Sequence, residues 1–279
     1  AGSSLEQFGT LHRLTPSGWV LHSTLKTPRS GLRGLWFRGP DEGWAVGDSG
    51  TVVRWDGMSW QTIAFSGTTF LTAVVVGPAG DLWVGGGSFH GPSGSGGHTT
   101  IFRRDNEGWV AEVSDSTAAI VDMEAAGNAT YAISAGGKLY VHDAGAWSAW
   151  RARFPADVFW PITGLELSAD GRTGTVVRAD GAIFAVDFSE GRVNQINAMG
   201  ILEGVAFTPD GRGWAVGPNQ AFLIVPDGGV VVANADVGID YALDVVSVSP
   251  QDQPRQDGVQ AWMVGRAGTS SEYREGAWH

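Results

Sequence analysis

Short apolar and β-branched runs recur along the chain, each closed by Gly, Pro, Asp or Ser. No segment keeps apolar residues at i, i+3, i+4 and i+7 beyond two turns, so the pattern predicts strands and almost no helix. The runs are organised into a repeat. Its clearest copy is Trp44-Ala45-Val46-Gly47, then Asp48-Ser49-Gly50, then Thr51-Val52-Val53-Arg54-Trp55, a turn at 56–59, and Trp60. Related units centre on Gly85, Ser134, Arg178, Gly217 and Gly265, at gaps of 38, 49, 44, 39 and 48 residues. An all-strand repeat of this length predicts a β-propeller.

The first full unit serves as a ruler. It places strands A to D at 32–38, 44–47, 51–55 and 60–65, with turns at 39–43 and 56–59. The same spacing predicts strands at 71–76 and 82–85, then at 120–125, 130–134, 138–142 and 147–150. Further on it predicts 162–167, 173–178 and 182–187, then 202–207, 213–217, 221–225 and 230–234, and last 242–247, 259–265 and 269–274. The segment 9–19 matches 50–60 in spacing and residue type, so the N-terminus carries strands C and D of a further, partial unit. The expectation is one all-β domain over 1–279, a single β-propeller of four-stranded blades. Its partial N-terminal blade lies at 5–24, and its repeats run at about 25–65, 66–113, 114–150, 151–196, 197–234 and 235–279. Seven blades are expected, with six as the alternative. Closure suits the physics, because a lone blade exposes two apolar faces and two unpaired edges. Leu35, Val46, Val74, Val84, Ile133, Leu165, Val176, Val205, Val216, Val245 and Val264 are the residues expected to fill the blade faces.

The motif Trp-Ala-Val-Gly returns as Trp214-Ala215-Val216-Gly217 and, in variant form, as Trp262-Met263-Val264-Gly265. The turns at 56–60 and 143–147 both run from Asp through Gly to Trp. In these features the chain resembles propellers of the photosystem II assembly-factor type. More broadly it resembles the Asp-box propellers that include sialidases. Neither turn carries the full Ser/Thr-x-Asp-x-Gly-x-x-Trp form. The resemblance spans most of the chain and implies a propeller with a binding or assembly role.

Composition narrows the function classes. The 29 acidic and 18 basic residues give a net charge of −11, which disfavours nucleic acid as a partner. There is no cysteine, so thiol catalysis, disulfides and thiolate metal sites are excluded. No run of 18 apolar residues is present, so no membrane-spanning helix is predicted. Few Lys, many Trp and Gly and the missing Cys lean toward an exported bacterial protein, extracytoplasmic and either periplasmic, secreted or surface-associated.

Local motifs for chemistry are weak. His90 and His98 flank a Gly- and Ser-rich stretch in the longest insertion, 86–99, which reads as a mobile loop with solvated His rather than a metal site. Phe37-Arg38-Gly39-Pro40 and Glu272-Tyr273-Arg274 resemble sialidase elements but read as strands with alternating exposed side chains. No nucleophile elbow or phosphate-binding loop occurs. No catalytic residue, metal or cofactor is assigned, and an enzyme is not the favoured reading.

The argument for a site is geometric. In a propeller the B–C and D–A connections emerge on one face. Here they would gather Phe70, Phe89, His90, His98, Asp157, Phe159, Trp160, Arg178, Asp180, Asp240, Tyr241 and Arg266. Aromatic area mixed with Asp and Arg is what a recognition surface needs. The expected function is a non-enzymatic protein-binding scaffold or accessory subunit of a bacterial assembly, whose partner is another protein or complex. A glycan-binding lectin and a sugar-acting hydrolase or lyase are the alternatives. Equivalent Trp pockets would favour the lectin, and converging Arg, Tyr and Glu would favour the enzyme.

Overall fold

The structure, a computed structural model, describes residues 9–15, 18–25, 31–67, 69–88, 97–116, 118–151, 154, 160–197, 200–207, 213–218, 220–224, 230–234, 242–248, 260–265, 270–274 and 277–278. Of residues 14–15, 18–19, 196–197 and all from 230 onward, the backbone alone is described. The chain divides into two compact units, 1–123 and 124–279, with the division inside one strand. Among the described residues the only helical segment is a 3-10 turn at Asp48–Gly50, and no helix is long and apolar enough to cross a membrane.

Unit 1 opens with a hairpin of β1 (Thr10–Thr15) and β2 (Gly18–Thr24). A four-stranded meander follows: β3 (Leu32–Gly39), β4 (Glu42–Gly47), β5 (Val52–Trp55) and β6 (Trp60–Thr62). The next is β7 (Phe70–Val76), β8 (Leu82–Ser88), β9 (His98–Arg104) and β10 (Trp109–Asp115). The division falls within β11 (Ile120–Ala126), which heads a meander with β12 (Ala129–Ser134), β13 (Leu139–Asp143) and β14 (Ala146–Ala149).

Unit 2 continues with β15 (Ile162–Leu167), β16 (Thr173–Arg178), β17 (Ala182–Asp187) and β18 (Arg192–Asn197). Then come β19 (Gly204–Phe207), β20 (Gly213–Gly217), β21 (Gln220–Ile224) and β22 (Val230–Asn234). The last set is β23 (Ala242–Val248), β24 (Gln260–Gly265), β25 (Ser270–Arg274) and β26 (Ala277–Trp278). In each set of four the strands pair in chain order, which is the blade of a β-propeller.

Five four-stranded sheets lie within residues 32–234, and of the set β23–β26 the backbone alone is described. Five blades therefore stand within residues 32–234, short of the expected seven or the alternative six, and the backbone of the set β23–β26 pairs in the same chain order. The reason at the N-terminus is plain. Residues 9–19 carry the C–D spacing only, and they form a two-stranded hairpin. Residues 5–8 of the expected partial blade lie outside the described residues.

Second strands are buried along nearly their whole length, as in β4, β12 and β20, whereas the fourth strands β6, β10 and β14 are largely exposed. Position in the blade thus sets burial. In unit 1, Trp44, Val46 and Val52 share one cluster with Leu71, Val74, Val76, Leu82 and Val84 of the next sheet. In unit 2, Val177 and Ile183 share another with Leu202, Val205, Ala215, Phe222 and Ile224. Hydroxyls also join neighbouring sheets: Thr163 Oγ1 donates to the Leu202 carbonyl at 3.1 Å at the second of these junctions, and Thr72 Oγ1, at the matching position, donates to the Ile120 carbonyl, from β7 to the start of β11.

The glycine that ends the Trp-Ala-Val-Gly motif has a steric cause. A Cβ on Gly47 would lie 1.9 Å from the Gly31 carbonyl oxygen, and one on Gly217 would lie 1.8 Å from that of Ile201. Only a residue without Cβ lets the first strand come this close to the second. One face residue departs from expectation. Leu35 is 58% exposed, whereas Val46, Val74, Val84, Ile133, Leu165, Val176, Val205 and Val216 are buried. Val245 and Val264 lie where the backbone alone is described.

Candidate functional site

In two blades, one in each unit, the B–C turn meets the entry to strand A through a backbone hydrogen bond. Asp48 N–H donates to the Gly31 carbonyl at 2.8 Å, and Ala179 N–H donates to the Pro161 carbonyl at 2.9 Å. These equivalent contacts place the B–C turn beside the residue that enters strand A. They create one surface in each unit.

In unit 1, Phe70 opens β7 and lies opposite Gly87, whose other neighbour is Thr99. Beside it, His98 pairs with Ser88, and its N–H donates to Ser88 Oγ at 3.1 Å. Phe70 and His98 therefore share one end of their sheet, as expected. The insertion is shorter than predicted, because Gly86, Gly87 and Ser88 pair with Thr100, Thr99 and His98. Glycine allows this ladder: a Cβ on Gly97 would lie 1.8 Å from the Ser88 carbonyl oxygen.

Sequence reasoning missed Arg33, a partner of Phe70, and Asp48, the partner of Arg33. The Arg33 guanidinium lies 5.5 Å from the Phe70 ring centroid, in cation–π geometry. Arg33 Nε also donates to Asp48 Oδ1. Asp48 stands in the first B–C turn, where Ser49 adopts φ of 55° and Gly50 φ of 72°, and Gly50 N–H donates to the Thr69 carbonyl at 2.9 Å. The rule that collected Arg178 and Asp180 from a B–C turn also reaches Asp48. Arg33 carried no signal, because it occupies the place that Thr72 and Thr163 hold elsewhere. Exposed Phe70, exposed Arg33 and Asp48 make a surface of aromatic area, positive charge and carboxylate.

In unit 2, exposed Trp160 lies just before β15, and the Arg178–Asp180 turn stands at the same end of that sheet. Arg178 grips Asp180 with two bonds, Nε to Oδ1 at 2.8 Å and Nη2 to Oδ2 at 2.6 Å. Its guanidinium also lies 5.4 Å from the Phe184 ring centroid. Ala182 N–H donates to Asp180 Oδ1 at 3.2 Å. The Arg178 bonds, opposed by burial and helped by the Ala182 N–H, hold the Asp180 carboxyl below the ordinary carboxylate value. Arg178 is buried and already committed to this fork, so it braces the turn. Trp160 supplies the contact area.

Phe89, His90, Asp157, Phe159, Asp240, Tyr241 and Arg266 lie outside the described residues. Among the described residues no three His, Asp or Glu side chains gather as a metal site. In the sialidase-like segment, Phe37 lies over Gly43, where a Cβ would be 2.4 Å from its ring, and Arg38 pairs with Glu42 at 3.2 Å. Glu272 and Tyr273 lie on β25, where the backbone alone is described. The Asp–Gly–Trp turn at 56–60 is built by its Asp: Asp56 Oδ1 accepts the N–H groups of Met58 at 2.9 Å and Ser59 at 2.8 Å.

No family model matches the chain, and no curated protein sequence matches it. Solved structures do. One, described as YCF48 bound to D1 peptide, is 19% identical, with 90% of this chain and 82% of that chain covered and a TM-score of 0.64. A chain from the crystal structure of the mitotic checkpoint complex is 14% identical, with 89% and 78% covered and a TM-score of 0.66. At these identities the likeness is one of fold. The chain is a β-propeller of four-stranded blades that resembles YCF48-like photosystem II assembly factors.

Proposed function

We propose that this chain is a non-catalytic protein-binding scaffold, an accessory subunit of a bacterial assembly outside the cytoplasm. The observation that carries this reading is the likeness in fold, over 90% of the chain, to a propeller solved with a peptide bound. The strand-end surfaces suit a peptide or loop as ligand. Phe70 and Trp160 offer exposed aromatic area, and Arg33, Asp48 and Asp180 offer charge with fixed direction. The missing cysteines and low lysine content support the extracytoplasmic placement.

The test is purification of the tagged protein from its native source, beside Phe70→Ala and Trp160→Ala variants. A partner should copurify with the unsubstituted chain. It should be depleted about tenfold with either variant, the loss expected of an interface anchor. Melting temperatures should stay within a few degrees of the unsubstituted protein. Equal recovery of the partner with all three proteins would contradict this assignment of the surface.

A further inference from the structure

Two arginines of unit 1 meet on one tryptophan. Arg54 lies directly opposite Trp44 in the β4–β5 ladder, and its guanidinium is 5.6 Å from the Trp44 ring centroid. Arg104 ends β9 in the next sheet. It stands two residues beyond Phe102, on the same face of the strand, and Phe102 packs against the cluster that holds Trp44. The Arg104 guanidinium lies 5.5 Å from the same ring centroid. Facing sheets thus bring two positive charges to one indole. Among the described residues neither arginine has a carboxylate partner, although Arg33, Arg38, Arg103, Arg172, Arg178 and Arg192 each have one. The nearest acids in sequence build turns instead. Asp56 Oδ1 accepts the Met58 and Ser59 N–H groups, and its Oδ2 accepts from Gln61 Nε2 at 2.6 Å. Asp105 Oδ1 accepts the N–H groups of Glu107 at 2.8 Å and Gly108 at 2.9 Å. Equivalent positions show the contrast. Trp44, Trp83 and Trp214 each stand three residues before a glycine pressed against a carbonyl, and opposite them lie Arg54, Arg103 and Leu223. Arg103 pairs with Glu112 at 2.9 Å, and Leu223 carries no charge. Of the three, Arg54 alone is a charge without an acid. Trp44 Nε1 adds a further donor, since it is buried and meets no acceptor among the described residues.

We propose that this junction binds a tetrahedral oxyanion, a phosphate or sulfate group that is free or carried as an ester. Stacking on the indole engages the faces of both guanidiniums and leaves their N–H edges open. A carboxylate has two oxygens and suits one such fork. A phosphate group keeps three acceptor oxygens even as an ester and carries up to two negative charges, enough for both forks. The site lies where β5 and β9 run into their turns, at the other end of these strands from Asp48 and His98. It therefore does not rest on the strand-end surfaces above, and either can fail alone.

The probe is inorganic phosphate, titrated calorimetrically into the full chain at an ionic strength held fixed with sodium chloride. Saturable binding at one site is expected. A net charge of −11 repels anions, so such binding does not come from the overall field of the chain. Arg54→Gln and Arg104→Gln should each weaken it about tenfold, as loss of a hydrogen bond to a charged group does. The double variant should abolish it. Arg13→Gln, at an exposed arginine of β1, should leave it unchanged. Melting of each variant verifies that it is folded. Arg54 is exposed, so Arg54→Gln decides alone where Arg104→Gln does not fold. Sulfate and glycerol phosphate are titrated beside phosphate. Tighter binding of glycerol phosphate identifies an ester as the ligand, and equal binding of all three identifies the oxyanion group itself. No saturable binding would overturn the proposal. So would binding indifferent to both substitutions, or an equal loss with Arg13→Gln.

Discussion

Gly47 and Gly217 end equivalent strands, and each faces a backbone carbonyl that leaves no space for a methyl group. Backbone cannot move aside as a side chain can. Gly47→Ala and Gly217→Ala should each cost at least about 2 kcal/mol, in the range of overpacked cores. Gly39 is the control, since nothing lies within 4 Å of a Cβ built there, and Gly39→Ala should be near neutral. Urea denaturation of the three variants checks this, and equal losses would contradict the close-approach argument. The Arg178–Asp180 fork makes a different residue-scale prediction. Its folded carboxyl is held below the ordinary value near 3.8. The stabilisation is therefore complete above that value and is lost as pH falls through the lower folded value. Asp180→Asn leaves a buried guanidinium without its carboxylate. It should cost about 3 kcal/mol at neutral pH, the low end for a broken buried pair because Asp180 is partly exposed. The gap from the unsubstituted protein should narrow in acid well below pH 3.8. A gap that stayed constant with pH would mean that the pair carries no titratable stabilisation.

At the scale of strands, the second strand of each blade is the packing element. Trp44 and Trp214 occupy matching places in β4 and β20 and are buried, whereas Trp160 stands exposed before β15. Trp44→Ala and Trp214→Ala should each lose about 3–5 kcal/mol. Trp160→Ala should lose about 1 kcal/mol or less, as surface positions do. Differential scanning calorimetry separates the two groups, and a Trp160 variant as unstable as the others would place that ring in the core. These strands were legible in the sequence because β-branched runs and turn residues repeat together. The predicted 162–167, 173–178 and 182–187 coincide with β15, β16 and β17. Fourth strands were harder to see. β10 and β18 were not predicted, since an exposed rim strand such as Trp109–Asp115 needs no apolar pattern. Leu35 misled for the opposite reason. Its residue type and spacing match a core position, but burial there depends on what packs against the sheet face, which the local pattern does not contain. The site was legible only in part. Loop position put Phe70, His98, Trp160, Arg178 and Asp180 at strand ends, where they lie, but Arg33 became visible only through its stacking on Phe70.

For the whole molecule, the account rests on where a partner touches it. The most direct measurement is hydrogen exchange on the complex purified from the native source, compared with the free chain. Protection should appear at the strand ends: residues 31–33, 48–50 and 69–70 in one unit, and 160–163 and 178–182 in the other. These segments carry the Arg33–Asp48–Phe70 cluster and the Trp160 surface. The opposite result is protection confined to the rim turns at 56–59, 105–108 and 143–146, with the strand ends unchanged. That outcome would contradict the claim that this propeller binds its partner where strands A, B and C converge.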